Sequence, residues 1–203
     1  MPPYNPDIHH RRSIRLKGYD YAKEGLYFIT INCQSKSPLF GKIINDQIHL
    51  NTYGLIAHNE WLNNENIRSN CLMHEFIIMP DHMHGIIEIT FNNQDIDKSS
   101  IGKFQSPSQT IGSIIRGYKI ATIKKIKNKI LLASDEKGEK GEKGELQFAP
   151  TIDPDDIYPR KKIIALDYKN WQRNFHDHII RDERAYINIS NYIRNNPKNW
   201  KKK

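Results

Sequence analysis

Leu26-Tyr27-Phe28-Ile29-Thr30-Ile31-Asn32-Cys33 is rich in β-branched and aromatic residues, which predicts a strand. Lys42-Ile43-Ile44 and Ile48-His49-Leu50, separated by a turn at Asn45-Asp46, predict a small hairpin. Leu55, Ile56, Trp61 and Leu62 then recur at roughly helical spacing, and Thr52 stands where a helix cap belongs. His74 to Met79 predicts another strand, Pro80-Asp81 a turn, and His82 to Ile89 its returning partner. From Gln109 to Lys129 the apolar positions Ile111, Ile114, Ile115, Tyr118, Thr122 and Ile126 form one stripe, with Arg116, Lys119, Lys124, Lys125 and Lys127 elsewhere. This predicts a long helix with a basic exposed surface. The last ordered block is expected to start near Lys161, with a short apolar segment at Ile163 to Leu166 and a strand or sheet edge at Phe175 to Ile180. Asp182 is placed to cap a closing helix, which ends at Asn195 or Asn196 because Pro197 disfavours helical geometry in the residue before it.

Two polar stretches interrupt this pattern. Asn92 to Ser108 is full of Asn, Gln, Asp and Ser, and residues 137–145 repeat Lys-Gly-Glu in tandem. The repeat has no apolar area to bury, so a mobile loop is expected there and no chemistry is assigned to it. The chain of 203 residues therefore reads as a single domain over 1–203, with a basic N-terminal arm at about 1–20 and a loop at about 133–150.

Composition narrows the partners more than the fold. Hydrophobic residues make up 37% and charged residues 27%, and no apolar run approaches the roughly 20 residues of a membrane span. The first residues lack the apolar core of a secretory signal, and the two cysteines, Cys33 and Cys71, lie in strand-like segments. A reducing, cytoplasmic setting is the expectation. The formal net charge is +8, which favours polyanionic partners, above all nucleic acid. Arg11, Arg12, Arg15 and Lys17 in the arm, and Arg116 and Lys119 on the long helix, are the candidate phosphate contacts.

The candidate chemistry begins at Met79-Pro80-Asp81-His82-Met83-His84-Gly85. Side chains two apart on a strand point to the same face. His82 and His84 can therefore present two imidazoles to one metal ion while Met83 faces the other way. Near the C-terminus, Tyr186, Ile189 and Ile193 mark the buried stripe of the closing helix. Tyr192 falls on the edge of that stripe, and Asn196 lies one turn further along the same side.

These residues, taken in order, resemble a family. Arg11-Arg12-Ser13-Ile14-Arg15-Leu16-Lys17-Gly18-Tyr19-Asp20-Tyr21, Tyr27-Phe28-Ile29-Thr30-Ile31, Met79 to Gly85, Trp171-Gln172-Arg173-Asn174-Phe175-His176-Asp177-His178-Ile179-Ile180-Arg181-Asp182 and Tyr192-Ile193-Arg194-Asn195-Asn196-Pro197 together resemble the REP-associated tyrosine transposases, within the single-tyrosine HUH transposases. The resemblance covers most of the chain and leaves out the Lys-Gly-Glu repeat. It implies an α+β, ferredoxin-like fold: an antiparallel sheet with helices packed on it. It implies His82 and His84 as metal ligands, Tyr192 as nucleophile and Asn196 as third ligand, a position where many relatives carry glutamine. His178 is an alternative contributor. A divalent ion, Mg²⁺ or Mn²⁺, is implied as cofactor, and single-stranded or hairpin DNA as substrate. The implied reaction is cutting and rejoining through a covalent 5′-phosphotyrosine, by a monomer or a homodimer.

Other readings stand beside this one. Tyr118, in Arg116-Gly117-Tyr118-Lys119, is a rival nucleophile, although its place in the helical stripe favours packing. A non-catalytic DNA-binding protein of the same fold, acting at repeated palindromic sequences, would keep these residues without the cutting. A His-x-His metallohydrolase of the barrel type fits poorly, because such barrels typically need ~250 residues of alternating strand and helix.

Overall fold

The computed structural model describes residues 20, 21, 23–91, 110–135 and 153–200. The basic arm with Arg11, Arg12, Arg15 and Lys17, the polar stretch at 92–108 and the Lys-Gly-Glu repeat lie outside the described residues.

Four strands make the main sheet: β1 (Gly25–Asn32), β4 (Cys71–Ile78), β5 (His82–Ile89) and β6 (His176–Ile180). Their spatial order is β4-β5-β1-β6, and every neighbouring pair is antiparallel. Helix α1 (Thr52–Leu62) connects β1 to β4, and α3 (Ile111–Asp135) lies between β5 and β6 in the chain. This is an α+β fold in the ferredoxin-like β-α-β-β-α-β order, as the resemblance implies. Antiparallel pairing throughout excludes the parallel barrel. Hairpin β2 (Gly41–Ile44) and β3 (Gln47–Leu50) form a separate two-stranded ribbon. Asn45 and Asp46 at its tip both have positive φ, which suits the right-handed twist of a two-residue turn. The short helix α2 (Asn64–Ile67) follows α1.

Strand parity decides which face carries the core. Tyr27, Ile29 and Ile31 of β1, with Met83 and Ile87 of β5, are fully buried in the cluster formed with α1 and α3. The α3 stripe of Ile111, Ile114, Ile115, Tyr118, Thr122 and Ile126 is buried as expected, and the helix runs on to bury Ile130 as well. Gly85 is needed where this face is tightest. A Cβ there would lie 2.5 Å from Trp61 Cζ2 and 3.2 Å from Phe76 Cβ. Gly85→Ala is therefore expected to lower unfolding free energy by about 1–3 kcal/mol through overpacking, read as a lower denaturant midpoint.

The opposite face carries the even-numbered residues of β1 and β5 and a smaller cluster with α5 (Glu183–Arg194), centred on Ile86, Ile180 and Ile193. Asp182 caps α5, its carboxylate accepting from Ala185 N at 2.8 Å, and Asn195 ends the helix.

Two details differ from the sequence expectations. Asn51, not Thr52, caps α1. The Asn51 amide accepts from Gly54 N at 2.9 Å through its oxygen and donates to Leu39 O at 3.0 Å through its nitrogen. The block expected from Lys161 instead opens with helix α4 (Pro154–Ala165), capped by Asp153 with Pro154 in its first turn. Asp156 of this helix accepts from Thr52 N at 3.1 Å and so supports the N-terminus of α1 with a carboxylate. Among the described residues, no helix is long and apolar enough to cross a membrane.

Candidate active site

The turn between β4 and β5 is held by backbone from another part of the chain. Asp81 O accepts from Cys33 N at 2.8 Å, and Pro80 O accepts from Leu39 N and Phe40 N at 2.8 and 3.2 Å. This fixes the start of β5. His82 pairs with Asn32 and His84 with Thr30, on the face turned away from the larger core. The two imidazole centroids are 4.7 Å apart.

Each ring has one nitrogen already engaged. His82 Nδ1 lies 2.5 Å from Asp81 Oδ1, and a carboxylate oxygen can only accept, so Nδ1 carries a hydrogen. His84 Nδ1 lies 2.8 Å from Thr30 Oγ1, and we assign it a hydrogen as well. Burial, and after it the neighbouring His82, pulls the His84 pKa down to about 3, against the opposing pull of Asp81. The ring is therefore neutral at physiological pH, the form in which an imidazole binds a metal. Phe28 stacks on it with centroids 5.4 Å apart.

Tyr192, on the last turn of α5, reaches this pair from 108 residues away. Its hydroxyl is 3.3 Å from His84 Nε2, and its ring meets Phe28 edge-on. The side chain is half exposed. Asn196, just past the helix, is buried and lines the same cavity of about 930 Å³ as Asp81, His82, His84 and Tyr192. The chain then turns back, with Asn199 N donating to Asn195 O and Asn196 O, and stacks Trp200 on His82 at 5.9 Å.

The donor set fits a divalent ion. Two imidazoles, each oriented by an oxygen partner at Nδ1, turn their Nε2 edges to the cavity, where that of His84 meets the Tyr192 hydroxyl, an arrangement like the second-shell ordering of metal-binding histidines. Among the described residues, no group of three His, Cys, Asp or Glu is placed to hold an ion; Asn196 lines the same cavity, and its amide oxygen could serve as a third ligand.

The remaining candidates are placed elsewhere. His178 is exposed on the edge strand β6, opposite Phe28, and does not line the cavity. Tyr118 is almost fully buried and edge-on to Trp61, and its hydroxyl donates to Ala57 O at 3.2 Å. Burial pushes its pKa well above the ordinary phenol value, which suits packing and not nucleophilic attack. Arg116 is exposed on α3. Lys119, considered above as a phosphate contact, is committed within the chain. Its ammonium donates to the carbonyls of Gln172, Arg173 and Asn174 at 2.9, 3.3 and 3.0 Å, tying α3 to the segment that leads into β6. Burial lowers its pKa to about 8, so it stays largely charged at neutral pH. Lys119→Met is expected to cost about 1 kcal/mol of stability in denaturant unfolding and to leave the salt dependence of DNA binding unchanged.

Thr30, Phe28 and Trp200 were not singled out by sequence reasoning. Thr30 carried a usable signal, since it lies on the polar face of a strand that must pair with the His-x-His strand. The contact of Trp200 with His82 depends on the turn after α5, which no local pattern reveals.

A protein of Haemophilus influenzae (strain Rd) described as an uncharacterized protein is 38% identical over 210 residues, spanning 97% of this chain and 93% of its own length. The chain belongs to the same family as that protein. No family model matches the chain. Among solved structures, a REP-associated tyrosine transposase bound to a REP hairpin aligns with a TM-score of 0.48 and 17% identity, covering 92% of this chain and 74% of its own.

Proposed function

We propose that the protein is a metal-dependent enzyme that cuts and rejoins single-stranded or hairpin DNA through a covalent 5′-phosphotyrosine at Tyr192. The observation that carries this reading is the 3.3 Å approach of the Tyr192 hydroxyl to His84 Nε2. A half-exposed phenol, two ordered imidazoles and a buried amide line one cavity large enough for a phosphate and its flanking nucleotide.

In the reaction, Tyr192 Oη attacks the scissile phosphorus and forms an ester bond to it. The bond to the 3′-oxygen breaks, and that oxygen leaves as a hydroxyl once it has gained the proton that the phenol loses. Rejoining is the reverse attack by a 3′-hydroxyl, so the phosphodiester energy is kept and no ATP is needed. His82, His84 and Asn196 are the residues that would hold Mg²⁺ or Mn²⁺. When bound, such an ion supplies positive charge to the oxygens of the scissile phosphate. Asp81 and Thr30 keep the two rings oriented. Phe28 and Trp200 cover the imidazoles and limit the freedom of the rings and of Tyr192. The net charge of +8 supports a polyanionic partner.

The test is incubation with a library of labelled hairpin deoxyoligonucleotides bearing randomised single-stranded flanks, with Mn²⁺, followed by denaturing electrophoresis. A label that stays on the protein supports the reading. Retarded DNA in a native gel with no denaturant-resistant adduct would instead favour the DNA-binding protein that acts at repeated palindromes without cutting.

A further inference from the structure

We propose that Glu75, one of two residues in a bulge of β4, is a positioning residue that pins the last turn of α5 and so sets where Tyr192 stands over the histidine pair. The inference rests on the strand-cutting reading and extends it to a residue that no motif in the chain points to.

The bulge is a matter of register. Met73 pairs with Ile87 and Phe76 with Gly85, so His74 and Glu75 together face the single residue Ile86. In a regular strand, residues 73 and 76 would point to opposite faces. Here both Met73 and Phe76 pack on the α1/α3 core, and the two residues between them both reach α5. His74 Nε2 lies 2.7 Å from Glu88 Oε2, and its Nδ1 lies 3.3 Å from the Tyr186 hydroxyl near the start of the helix. Glu75 Oε2 accepts from an Arg194 guanidinium nitrogen at 2.7 Å, at the final helical residue. One irregularity thus holds both ends of the element that carries Tyr192.

The Glu75–Arg194 pair matters more for position than for stability. Arg194 is largely exposed, and exposed ion pairs contribute little to folding. Helix ends fray, however, and Tyr192 sits two residues before Arg194 in the turn this pair closes. In-line attack at phosphorus tolerates little misplacement of the attacking oxygen. Loss of the pair should therefore slow the chemical step far more than it lowers the unfolding temperature.

The experiment uses the full chain, the hairpin library above and Mn²⁺, and compares Glu75→Arg, Arg194→Glu and the double exchange. At saturating DNA, each single reversal is expected to slow adduct formation about 10-fold, and the double exchange to recover most of it, with thermal unfolding nearly unchanged in all three. Single reversals that react at the wild-type rate, or a double exchange that fails to recover, would overturn the proposal. A second measurement is independent of DNA chemistry: hydrogen exchange of the backbone amides at 191–194. Faster exchange in each single reversal and recovery in the double exchange supports the pin, and unchanged exchange overturns it. If the wild-type protein forms no adduct with any library member, the strand-cutting reading fails, while the exchange data still decide whether Glu75 holds the helix end.

Discussion

Tyr192→Phe is expected to abolish the covalent protein–DNA adduct and leave hairpin binding within a small factor of wild type. The substitution removes one oxygen and keeps the ring. The edge-on contact with Phe28 and the packing beside His84 should therefore persist. The Tyr192 side chain is half exposed and its contact with His84 Nε2 lies on the wall of an open cavity, so loss of this one hydrogen bond costs about 1 kcal/mol or less. Chemistry is affected on another scale. With no oxygen at this position no phosphotyrosine can form, and the adduct signal should fall to the background of the assay. Tyr118→Phe serves as the contrast. It removes a buried hydroxyl bonded to Ala57 O, so it should lower stability while adduct formation by the folded protein continues. An adduct that survived in Tyr192→Phe and vanished in Tyr118→Phe would move the nucleophile to α3.

The second large effect is expected at the histidine pair, as a graded series. His82→Ala removes one of two imidazole nitrogens from the proposed ion site and should slow adduct formation by on the order of 10² to 10³-fold. Asp81→Asn keeps the ring but replaces the carboxylate that fixes its tautomer, and should cost about 10- to 100-fold, the range usual for residues that orient a metal-binding histidine. The His82 side chain is mostly buried, bonded to Asp81 and stacked on Trp200, so His82→Ala should lower stability by about 1–2 kcal/mol without unfolding the protein. The metal part of the account is checked separately: a chelator should stop adduct formation, and Mn²⁺ added back should restore it. A large loss of thermal stability in His82→Ala, with little change in the rate of the folded fraction, would make the pair structural.

Residue patterns were enough to place β1, β4, β5, β6, α1 and α5 within a few residues, because each buries one face against a core, and to place the start of α3, which runs six residues beyond the expected end at Lys129. The shared face of His82 and His84 follows from the same alternation. The cap of α5 was legible at Asp182, whereas that of α1 was misplaced by one residue: Asn51 and Thr52 are both capping residue types, and Asn51, the more favoured, makes the local bond from Gly54 N and adds a donation to Leu39 O. Helix α4 was partly missed despite the Asp-Pro signature at its start, because Ile157, Tyr158 and Ile164 are exposed and the helix has no clean apolar stripe. The β4 bulge left no local trace, as register is settled by what Met73 and Phe76 pack against. Tyr192 was identified by family resemblance, since its meeting with His84 depends on how α5 lies across the sheet.

If the proposed reaction runs, the Tyr192 oxygen becomes bonded to DNA. Protease digestion of the purified adduct, nuclease trimming of its DNA and mass spectrometry of the peptides test it most directly. The expected result is a nucleotide phosphate mass on the peptide containing Tyr192, fragmenting at that residue. The same mass on a Tyr118 peptide, or on no tyrosine at all, would contradict it.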